Sequence, residues 1–198
     1  MGLKNRDPLE VFESWLEKAT RKEVSNPTAM ALATVGKDGR PSARMVLLKD
    51  SGPDGFVFYT NLESLKSRQI DENPHAALLF HWKSLERQVR IEGSVELVAD
   101  AEADAYFATR PRASQLGAWA SLQSQPLDGW VELEKRVAFY TAKFHVGKVP
   151  RPDFWSGFRL RPERYEFWQE GNFRLHKRFV FTRSESGAKK WQVQQLYP

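Results

Sequence analysis

The stretch that decides the fold runs from residue 75 to residue 99 and reads HAALLFHWKSLERQVRIEGSVELVA. It contains two strand-like runs, His75–Trp82 and Arg87–Ala99, and a β-bulge is expected at Gly93 in the second. Two strands joined by so short a connection pair side by side in antiparallel fashion. The stretch therefore predicts the strand pair around which a sheet is built.

The remainder of the chain repeats this pattern. Strand-like runs precede it at 28–35, 42–49 and 56–60, and others follow near 156–161, 164–169, 174–183 and 191–196. Lys37-Asp38-Gly39 predicts a hairpin turn, and Asp50 to Gly55 predicts a looser loop. Strands outnumber helices and many are joined by short turns. We therefore predict a mainly β, α+β fold, an antiparallel barrel or sandwich with helices at its ends.

The first helix has a clear start at Asp7-Pro8-Leu9-Glu10. A capping Asp, a Pro at the first helical position and a Glu three residues after the cap are typical of a helix N-terminus. An apolar stripe then follows at helical spacing: Phe12, Trp15, Leu16 and Ala19. Further helices are predicted at 62–72, 100–110, 112–121 and 128–146.

The length of 198 residues suits a single domain, 1–198, in which residues 1–6 are expected to form a flexible arm. The absence of cysteine excludes disulfides, thiol nucleophiles and cysteine-ligated zinc. The four histidines are not at helical metal-ligand spacing, so no metal site is expected. No apolar run approaches the roughly 18 residues of a membrane span, and the acidic N-terminal segment does not suit a signal peptide. We expect a cytoplasmic protein without a membrane partner.

The formal net charge is +5, and the excess lies in residues 148–198, which hold 11 basic and 5 acidic groups. Aromatic residues are interleaved with these cations. A basic, aromatic segment suits a flat anionic ligand, either a nucleic acid or a phosphorylated aromatic cofactor. A solvated basic face is the alternative.

One candidate constellation is Arg174-Leu175-His176-Lys177-Arg178. On a strand, residues two apart share a face, so Arg174, His176 and Arg178 are expected to point the same way. Such a row of cations repels itself unless an anion or a buried acid lies among them. The adjoining Trp168 favours a ligand over a charged edge strand.

A second constellation is Tyr106, Arg110 and Ser114, spaced four residues apart. They are expected on one helical face, although Pro111 must kink or break the helix. A phenol, a guanidinium and a hydroxyl together suit a phosphate ester.

A third constellation runs from Arg44 to Lys66. Arg44 and Lys49 have opposite parity, so a bulge or a strand end is needed to bring them to one site. Tyr59-Thr60-Asn61 ends another strand and leads into a predicted helix that carries Lys66. A strand that runs into a helix N-terminus presents free N–H groups to a phosphate.

These constellations, taken together, resemble the sequence blocks of the pyridoxine/pyridoxamine 5′-phosphate oxidase family. The most specific block is Glu166-Phe167-Trp168-Gln169, four residues, then Arg174-Leu175-His176-Lys177-Arg178. Arg44–Lys49, Tyr59-Thr60-Asn61, Leu85–Val89 and Arg110–Gln115 match other blocks in the family's order. The resemblance extends from about residue 7 to the C-terminus.

The resemblance implies an antiparallel Greek-key split β-barrel that works as a homodimer with FMN at the subunit interface. It implies oxidation of pyridoxine or pyridoxamine 5′-phosphate to pyridoxal 5′-phosphate, with O₂ as acceptor and H₂O₂ as product. The implied FMN contacts are Arg44, Met45, Val46, Leu47, Tyr59, Thr60, Lys66, Gln88, Gln123, Ser124, Trp168 and Arg178. The implied substrate contacts are Lys49, Tyr106, Arg110, Ser114 and the two catalytic residues Arg174 and His176.

The chain departs from the family pattern at Leu65, where an arginine is frequent, and at Gln195, where the family has Arg-Leu-x-Pro. These departures motivate an alternative, a flavin- or B6-phosphate-binding split-barrel protein with a different substrate or no turnover. A single-stranded nucleic-acid binder is the other alternative, although no nucleic acid partner is expected if the family resemblance holds.

Overall fold

A computed structural model describes Leu3, residues 6–183 and residues 191–198. The helices of this part of the chain are α1 (Pro8–Lys22), α2 (Leu65–Glu72), α3 (Asp100–Thr109), α4 (Arg112–Ala120) and α5 (Trp130–Lys143). The strands are β1 (Ala29–Val35), β2 (Pro41–Leu47), β3 (Asp50–Gly52), β4 (Gly55–Asn61), β5 (His75–Trp82), β6 (Arg87–Leu97), β7 (Trp155–Gln169), β8 (Lys177–Arg183) and β9 (Trp191–Leu196). Short 3₁₀ turns occupy Lys83–Leu85 and Asn172–Arg174.

All described strand pairs are antiparallel, in the order β2-β1-β5-β6-β7-β4-β3, with β8 and β9 added alongside β7. The predicted pair of His75–Trp82 with the following strand is confirmed as β5 and β6, with His81 opposite Gln88. The predicted architecture of an antiparallel sheet accompanied by helices is therefore confirmed.

Strand β7 is longer than predicted, because the runs 156–161 and 164–169 form one strand. One edge of β7 pairs with β6 along most of its length. The other edge is shared, since β4 pairs with its first half and β8 with its second half. The register between β6 and β7 shifts at Glu92/Gly93, which confirms an irregularity at this place. The extra residue is Glu163 of β7, so the bulge lies in the partner strand and not at Gly93 as predicted.

The core fills the inner face of the sheet and is closed by α1. The side chain of Asp7 accepts a hydrogen bond from the Leu9 N–H, which confirms the predicted cap. Phe12 of α1 is fully buried and contacts Phe56 and Phe80 edge-on, at ring-centroid distances of 4.9 and 5.0 Å. Trp15, one turn later, packs against Phe167 of β7. The apolar stripe of α1 thus ties β4, β5 and β7 to one core.

Other boundaries differ from the sequence-based predictions. The helix predicted at 128–146 spans Trp130–Lys143, α2 begins at Leu65 instead of 62, and the loop after Asp50 contains the short strand β3. In the predicted flexible arm, Leu3 is buried against the core, whereas residues 1, 2, 4 and 5 lie outside the described part of the chain, so the arm stays a prediction. No helix of the described residues is long and apolar enough to cross a membrane.

Gly93 provides a test of the β6–β7 pairing. A Cβ at this position would lie 1.9 Å from the backbone carbonyl oxygen of Arg161. We expect Gly93→Ala to lower the free energy of unfolding by about 1–3 kcal/mol, because β7 has to move away to relieve the overlap. Urea denaturation measures this change. Gly52→Ala is the matched control, since nothing lies within 4 Å of its Cβ, and equal stabilities of the two variants would contradict the close approach.

Candidate functional site

A cleft of about 1020 Å³ opens between strand β2, the end of β4, and helices α2, α3 and α4. It contains most of the predicted site residues. Its lining comprises Ser42, Ala43, Arg44, Met45, Val46, Leu47, Lys49, Tyr59, Thr60, Asn61, Leu65, Lys66, Tyr106, Thr109, Arg110, Pro111, Ser114, Gly117, Ala118, Ser121, Gln123, Ser124 and Trp155.

The charge of the cleft is one-sided. Four of the lining residues are cations, namely Arg44, Lys49, Lys66 and Arg110, and none of the lining residues in the described chain is Asp or Glu. Because cations gathered in a partly buried space repel one another, the arrangement favours an anionic ligand that lies among them.

An aromatic stack forms one wall of the cleft. The ring of Tyr59 lies parallel to those of Tyr106 and Trp155, at centroid distances of 3.9 and 5.4 Å. Gly157 faces Tyr59 across the β4–β7 ladder, and a Cβ there would lie 2.7 Å from the tyrosine ring. Burial, followed by the nearby Glu102 carboxylate, raises the pKa of Tyr59 to about 12, so its phenol stays neutral and able to donate a hydrogen bond.

A cluster of donors lies where β4 leads into α2. The Lys66 ammonium donates to Thr60 Oγ1 (3.0 Å), Ser64 Oγ (2.9 Å) and Gln123 Oε1 (2.7 Å). The first helical N–H, that of Leu65, donates to Ser124 Oγ at 3.2 Å. These contacts bring the predicted residues Thr60, Lys66, Gln123 and Ser124 together at one helix N-terminus, a geometry that suits a phosphate.

Two cations at this place, Lys66 of the cluster and the nearby Arg44, have only neutral hydrogen-bond partners among the described residues. Burial, followed by the charge of Arg44, lowers the pKa of Lys66 to about 8. The Arg44 guanidinium donates to Thr34 Oγ1 (2.5 Å), Ser42 Oγ (2.6 Å) and Gln69 Oε1 (3.2 Å), and burial lowers its pKa as well. Both charges are therefore positioned without being neutralised.

The Tyr106, Arg110 and Ser114 constellation also faces the cleft. Pro111 breaks the helix as predicted, since α3 ends at Thr109 and α4 begins at Arg112. The Arg110 guanidinium lies over Trp155, 4.7 Å from the ring centroid, and its Nη1 is buried without a hydrogen-bond partner in the described chain. Burial lowers the pKa of Arg110. A half-buried guanidinium with one buried, unused N–H group suits an anionic oxygen.

Lys49 also lines the cleft, and a strand end brings it there, as its opposite parity to Arg44 required. Strand β2 ends at Leu47, so Lys49 lies beyond its end and shares the cleft with Arg44. Its ammonium is 6.0 Å from the ring centroid of Tyr106. Sequence reasoning missed Trp155 as a site residue, because it joins the stack only through the pairing of β7 with β4.

The remaining predicted residues form a second cluster that does not line the cleft. Gln88, Trp168 and Arg178 lie directly opposite one another on β6, β7 and β8, so they share one face of the sheet. The ring of His176 packs on Trp168 at a centroid distance of 4.7 Å. The sheet therefore gathers Gln88, Trp168, His176 and Arg178 at the end of β7.

The prediction that Arg174, His176 and Arg178 share one strand face is wrong. Strand β8 begins at Lys177, and Arg174 ends a 3₁₀ turn in which Phe173 and Arg174 both have positive φ, 57° and 62°. The Leu175 N–H donates to the Asn172 carbonyl and the His176 N–H to the Arg174 carbonyl, so these backbone groups close a turn instead of extending the ladder. The exposed Arg174 is thus carried on a tight turn next to the second cluster.

The fold and the cleft define a class of protein, an antiparallel split barrel with a cationic, aromatic-walled cleft. In a comparison of solved structures, PhzG from Burkholderia lata, described in complex with tetrahydrophenazine-1-carboxylic acid, superimposes with a TM-score of 0.92 at 30% identity and covers 100% of this chain and 97% of its own. A pyridoxamine 5′-phosphate oxidase-related, FMN-binding protein of Nostoc punctiforme has the same fold, with a TM-score of 0.78, 16% identity and coverage of 98% of this chain and 100% of its own. These neighbours confirm the split-barrel prediction.

Sequence comparison is more specific. The pyridoxamine 5′-phosphate oxidase model matches residues 16–143, and the pyridoxine 5′-phosphate oxidase C-terminal dimerisation region matches residues 155–198. A pyridoxine/pyridoxamine 5′-phosphate oxidase of Azorhizobium caulinodans is 58% identical over 97% of this chain and 90% of its own length. One of Rhodospirillum rubrum is 57% identical over 100% of this chain and 99% of its own. The chain belongs to the pyridoxamine 5′-phosphate oxidase family, and the resemblance seen in the sequence is confirmed.

The lowered pKa of Lys66 leads to a testable pH dependence. Above about pH 8 the free ammonium loses its proton, whereas a phosphate monoester is already a dianion because its second pKa is about 6. We expect the affinity for FMN to fall roughly fivefold between about pH 8 and about pH 9, as measured by titrating the apoprotein. Lys66→Arg should flatten this profile, because the guanidinium stays charged throughout. The same slope in both proteins would remove Lys66 from the anion site.

Proposed function

We propose that the protein binds FMN in the cleft and oxidises pyridoxine or pyridoxamine 5′-phosphate to pyridoxal 5′-phosphate, with O₂ as acceptor and H₂O₂ as product. The observation that carries the proposal is a cleft with four cations, no carboxylate among its described lining residues and an aromatic wall. Membership of the oxidase family and 58% identity to a pyridoxine/pyridoxamine 5′-phosphate oxidase support it. The reaction belongs to the salvage or synthesis of vitamin B6, and the cytoplasm stays the predicted compartment.

The residues at the start of α2 fit the phosphate of FMN. Lys66 and Arg44 supply charge, and Thr60, Gln123 and Ser124 supply hydroxyl and amide groups that already point at the same place. The strand residues Met45, Val46 and Leu47 offer an edge along which a flat ring system can lie. When bound, the flavin supplies the redox chemistry, so the protein needs only to bind and orient the two reactants.

Leu65 departs from the family pattern and lies on this cleft with 45% of its surface exposed. Its side chain brings no charge, but its backbone N–H still donates to Ser124. We infer that Lys66 and Arg44 carry the phosphate interaction here. The alternative of a binding protein without turnover depends on this departure and is distinguished by assaying H₂O₂ from flavin-loaded protein.

The other end of the cleft suits the phosphate of the substrate. The Arg110 guanidinium has an unused buried N–H, and Ser114, Tyr106 and Lys49 surround the same space. The neutral Tyr59 phenol and the rings stacked on it form the aromatic wall beside this space. Two phosphate sites at two ends of one cleft account for all four cations. A small ligand with a single carboxylate would leave most of them without an anion.

Within one chain, the second cluster is far from the cleft. Trp155 lines the cleft at the start of β7, and Trp168 stands near the other end of the same strand, roughly 40 Å away along the strand at about 3.3 Å per residue. We propose that a second copy supplies Gln88, Trp168, Arg174, His176 and Arg178 to the cleft, which makes the working unit a homodimer. The match of residues 155–198 to a dimerisation region supports this arrangement.

Arg174 is the residue whose removal tests the proposed substrate site. We expect Arg174→Ala to lower kcat/KM for pyridoxine 5′-phosphate by at least about 100-fold, about 2.7 kcal/mol, and to leave FMN bound, because the lost guanidinium orients the substrate and not the flavin. His176→Ala should lose less, since a neutral hydrogen bond contributes about 0.5–1.5 kcal/mol. H₂O₂ production, flavin content and melting temperature are measured on the same samples.

Lys177→Ala is the matched control for both variants. Lys177 is the next residue after His176, and alternation on β8 directs its side chain to the face opposite Arg178. Its turnover should stay within about twofold of the wild type. Turnover of Arg174→Ala at the wild-type rate would place the substrate elsewhere.

The shared site is tested with a hybrid dimer. Lys66→Ala disables the cleft and Arg174→Ala disables the second cluster, so each homodimer should be nearly inactive. A hybrid purified by two different tags should recover about half of the wild-type rate, because one of its two sites combines the two intact halves. No recovery would mean that each chain forms its own site, and a single-chain mass in light scattering with FMN bound would rule out the dimer.

A further inference from the structure

Glu166 is a buried carboxylate among three arginines, outside the cleft and absent from the proposed FMN and substrate contacts. It is only 7% exposed and lies in β7, two residues before Trp168. Its Oε1 accepts from Arg178 Nε at 2.8 Å and contacts Arg178 Nη2 at 2.7 Å. Its Oε2 accepts from Arg90 Nη2 at 2.7 Å and Arg164 Nη2 at 3.4 Å. Among the described residues, Oε1 thus contacts Arg178 alone.

The neighbouring carboxylate, that of Glu92, makes a different set of contacts. Glu92 Oε1 contacts Arg90 Nε at 2.7 Å and Arg164 Nη1 at 2.9 Å, and it has no contact with Arg178 among the described residues. In the described chain, Glu166 is therefore the one carboxylate that Arg178 contacts. Removing it leaves Arg178 without a charged partner but leaves Arg90 and Arg164 paired with Glu92.

The contacts of Arg178 leave part of its guanidinium free. Nε and Nη2 are directed at Glu166, and Nη1 donates to the Tyr197 carbonyl at 3.2 Å. A guanidinium has five N–H groups, so two of them, one on each terminal nitrogen, stay available to a ligand. Trp168 lies directly opposite Arg178 across the β7–β8 ladder.

An arginine side chain has many rotamers, and a carboxylate oxygen that contacts two of its nitrogens selects one rotamer before any ligand arrives. We propose that Glu166 is a positioning residue for the flavin site: it holds the Arg178 guanidinium beside Trp168 with two N–H groups directed outward to FMN. This role rests on the proposed function, in which Arg178 contacts FMN. Glu166 itself touches neither FMN nor substrate and acts through Arg178.

The test compares Glu166→Gln with Glu92→Gln in the full-length protein. Apoprotein is titrated with FMN, and the dissociation constant is read from the quenching of flavin fluorescence. Glu166→Gln should raise this constant by about tenfold or more, which corresponds to the loss of one charged hydrogen bond. Glu92→Gln, which keeps the Arg178 contacts, should change it by no more than about twofold. The visible circular dichroism of the bound flavin should change only in Glu166→Gln.

The double variant separates positioning from general damage. If Glu166 acts through Arg178, adding Glu166→Gln to Arg178→Ala should cause no further loss of FMN affinity. The inference would be overturned if the two substitutions weakened FMN binding independently, so that their fold-losses of affinity multiplied in the double variant. It would equally be overturned if Glu166→Gln had a normal dissociation constant while Arg178→Ala weakened binding. A normal constant for Arg178→Ala alone would instead contradict the proposed FMN contact of Arg178.

Melting temperatures of the apoproteins show whether each variant folds. If Glu166→Gln does not fold, Glu166→Asp takes its place, because it keeps the charge and shortens the reach by one methylene. It should weaken FMN measurably and again have no effect beyond Arg178→Ala. Unchanged FMN affinity of a folded Glu166→Asp protein, combined with a loss in Arg178→Ala, would equally overturn the positioning role.

Discussion

The structure depends on the hydrogen bonding of one long strand, β7. Its fifteen residues carry β6 on one edge and divide the other edge between β4 and β8. Because each buried backbone group needs a partner, a strand of this length can hold together parts of the sheet that do not pair with each other. The irregularity at Gly93 and Glu163 lies between the two halves of β7 and lets the strand change direction without losing the β6 ladder. The core, the cleft wall and the second cluster are all attached to this strand.

The cleft illustrates how a binding site differs from a core. Its cations are held by hydroxyls and amides, such as Thr60, Ser64 and Gln123 around Lys66, instead of by carboxylates. Such partners fix the position of a charge but do not neutralise it, and burial then lowers the pKa of Lys66 to about 8. Around Glu166 of β7, the arginines are arranged in the opposite way and have carboxylate partners. Among the described residues, the protein thus leaves the cations of the cleft without carboxylate partners and pairs the arginines around Glu166 with carboxylates.

The two clusters also explain why a second copy of the chain belongs to the proposed function. Trp155 and Trp168 belong to the same strand, and the rigidity of a paired strand keeps them apart. No rotation of a side chain spans that separation. In the proposed dimer, a two-fold arrangement of identical chains would bring the second cluster of one copy to the cleft of the other. The tight turn that carries Arg174, with positive φ at two successive non-glycine residues, has the strained backbone that recurs at ligand sites.

Local structure could be predicted from the sequence alone. The cap at Asp7, the strand pair at 75–99, the break at Pro111 and the need for a strand end between Arg44 and Lys49 all follow from backbone preferences and side-chain periodicity, and the structure has each of them. Family motifs added a set of candidate residues, many of which the structure gathers around one cleft.

Only the tertiary structure decided what depends on contacts between distant segments. The sequence indicated a strand through Arg174, whereas the backbone bonds of residues 172–176 close a turn. Periodicity could not show that 156–161 and 164–169 are one strand, that Trp155 stacks on Tyr59, or that Glu166 holds Arg178. The physical reason is that each of these depends on which strand lies next to β7. Strand pairing brings together residues far apart in sequence, and no local pattern records their separation in space.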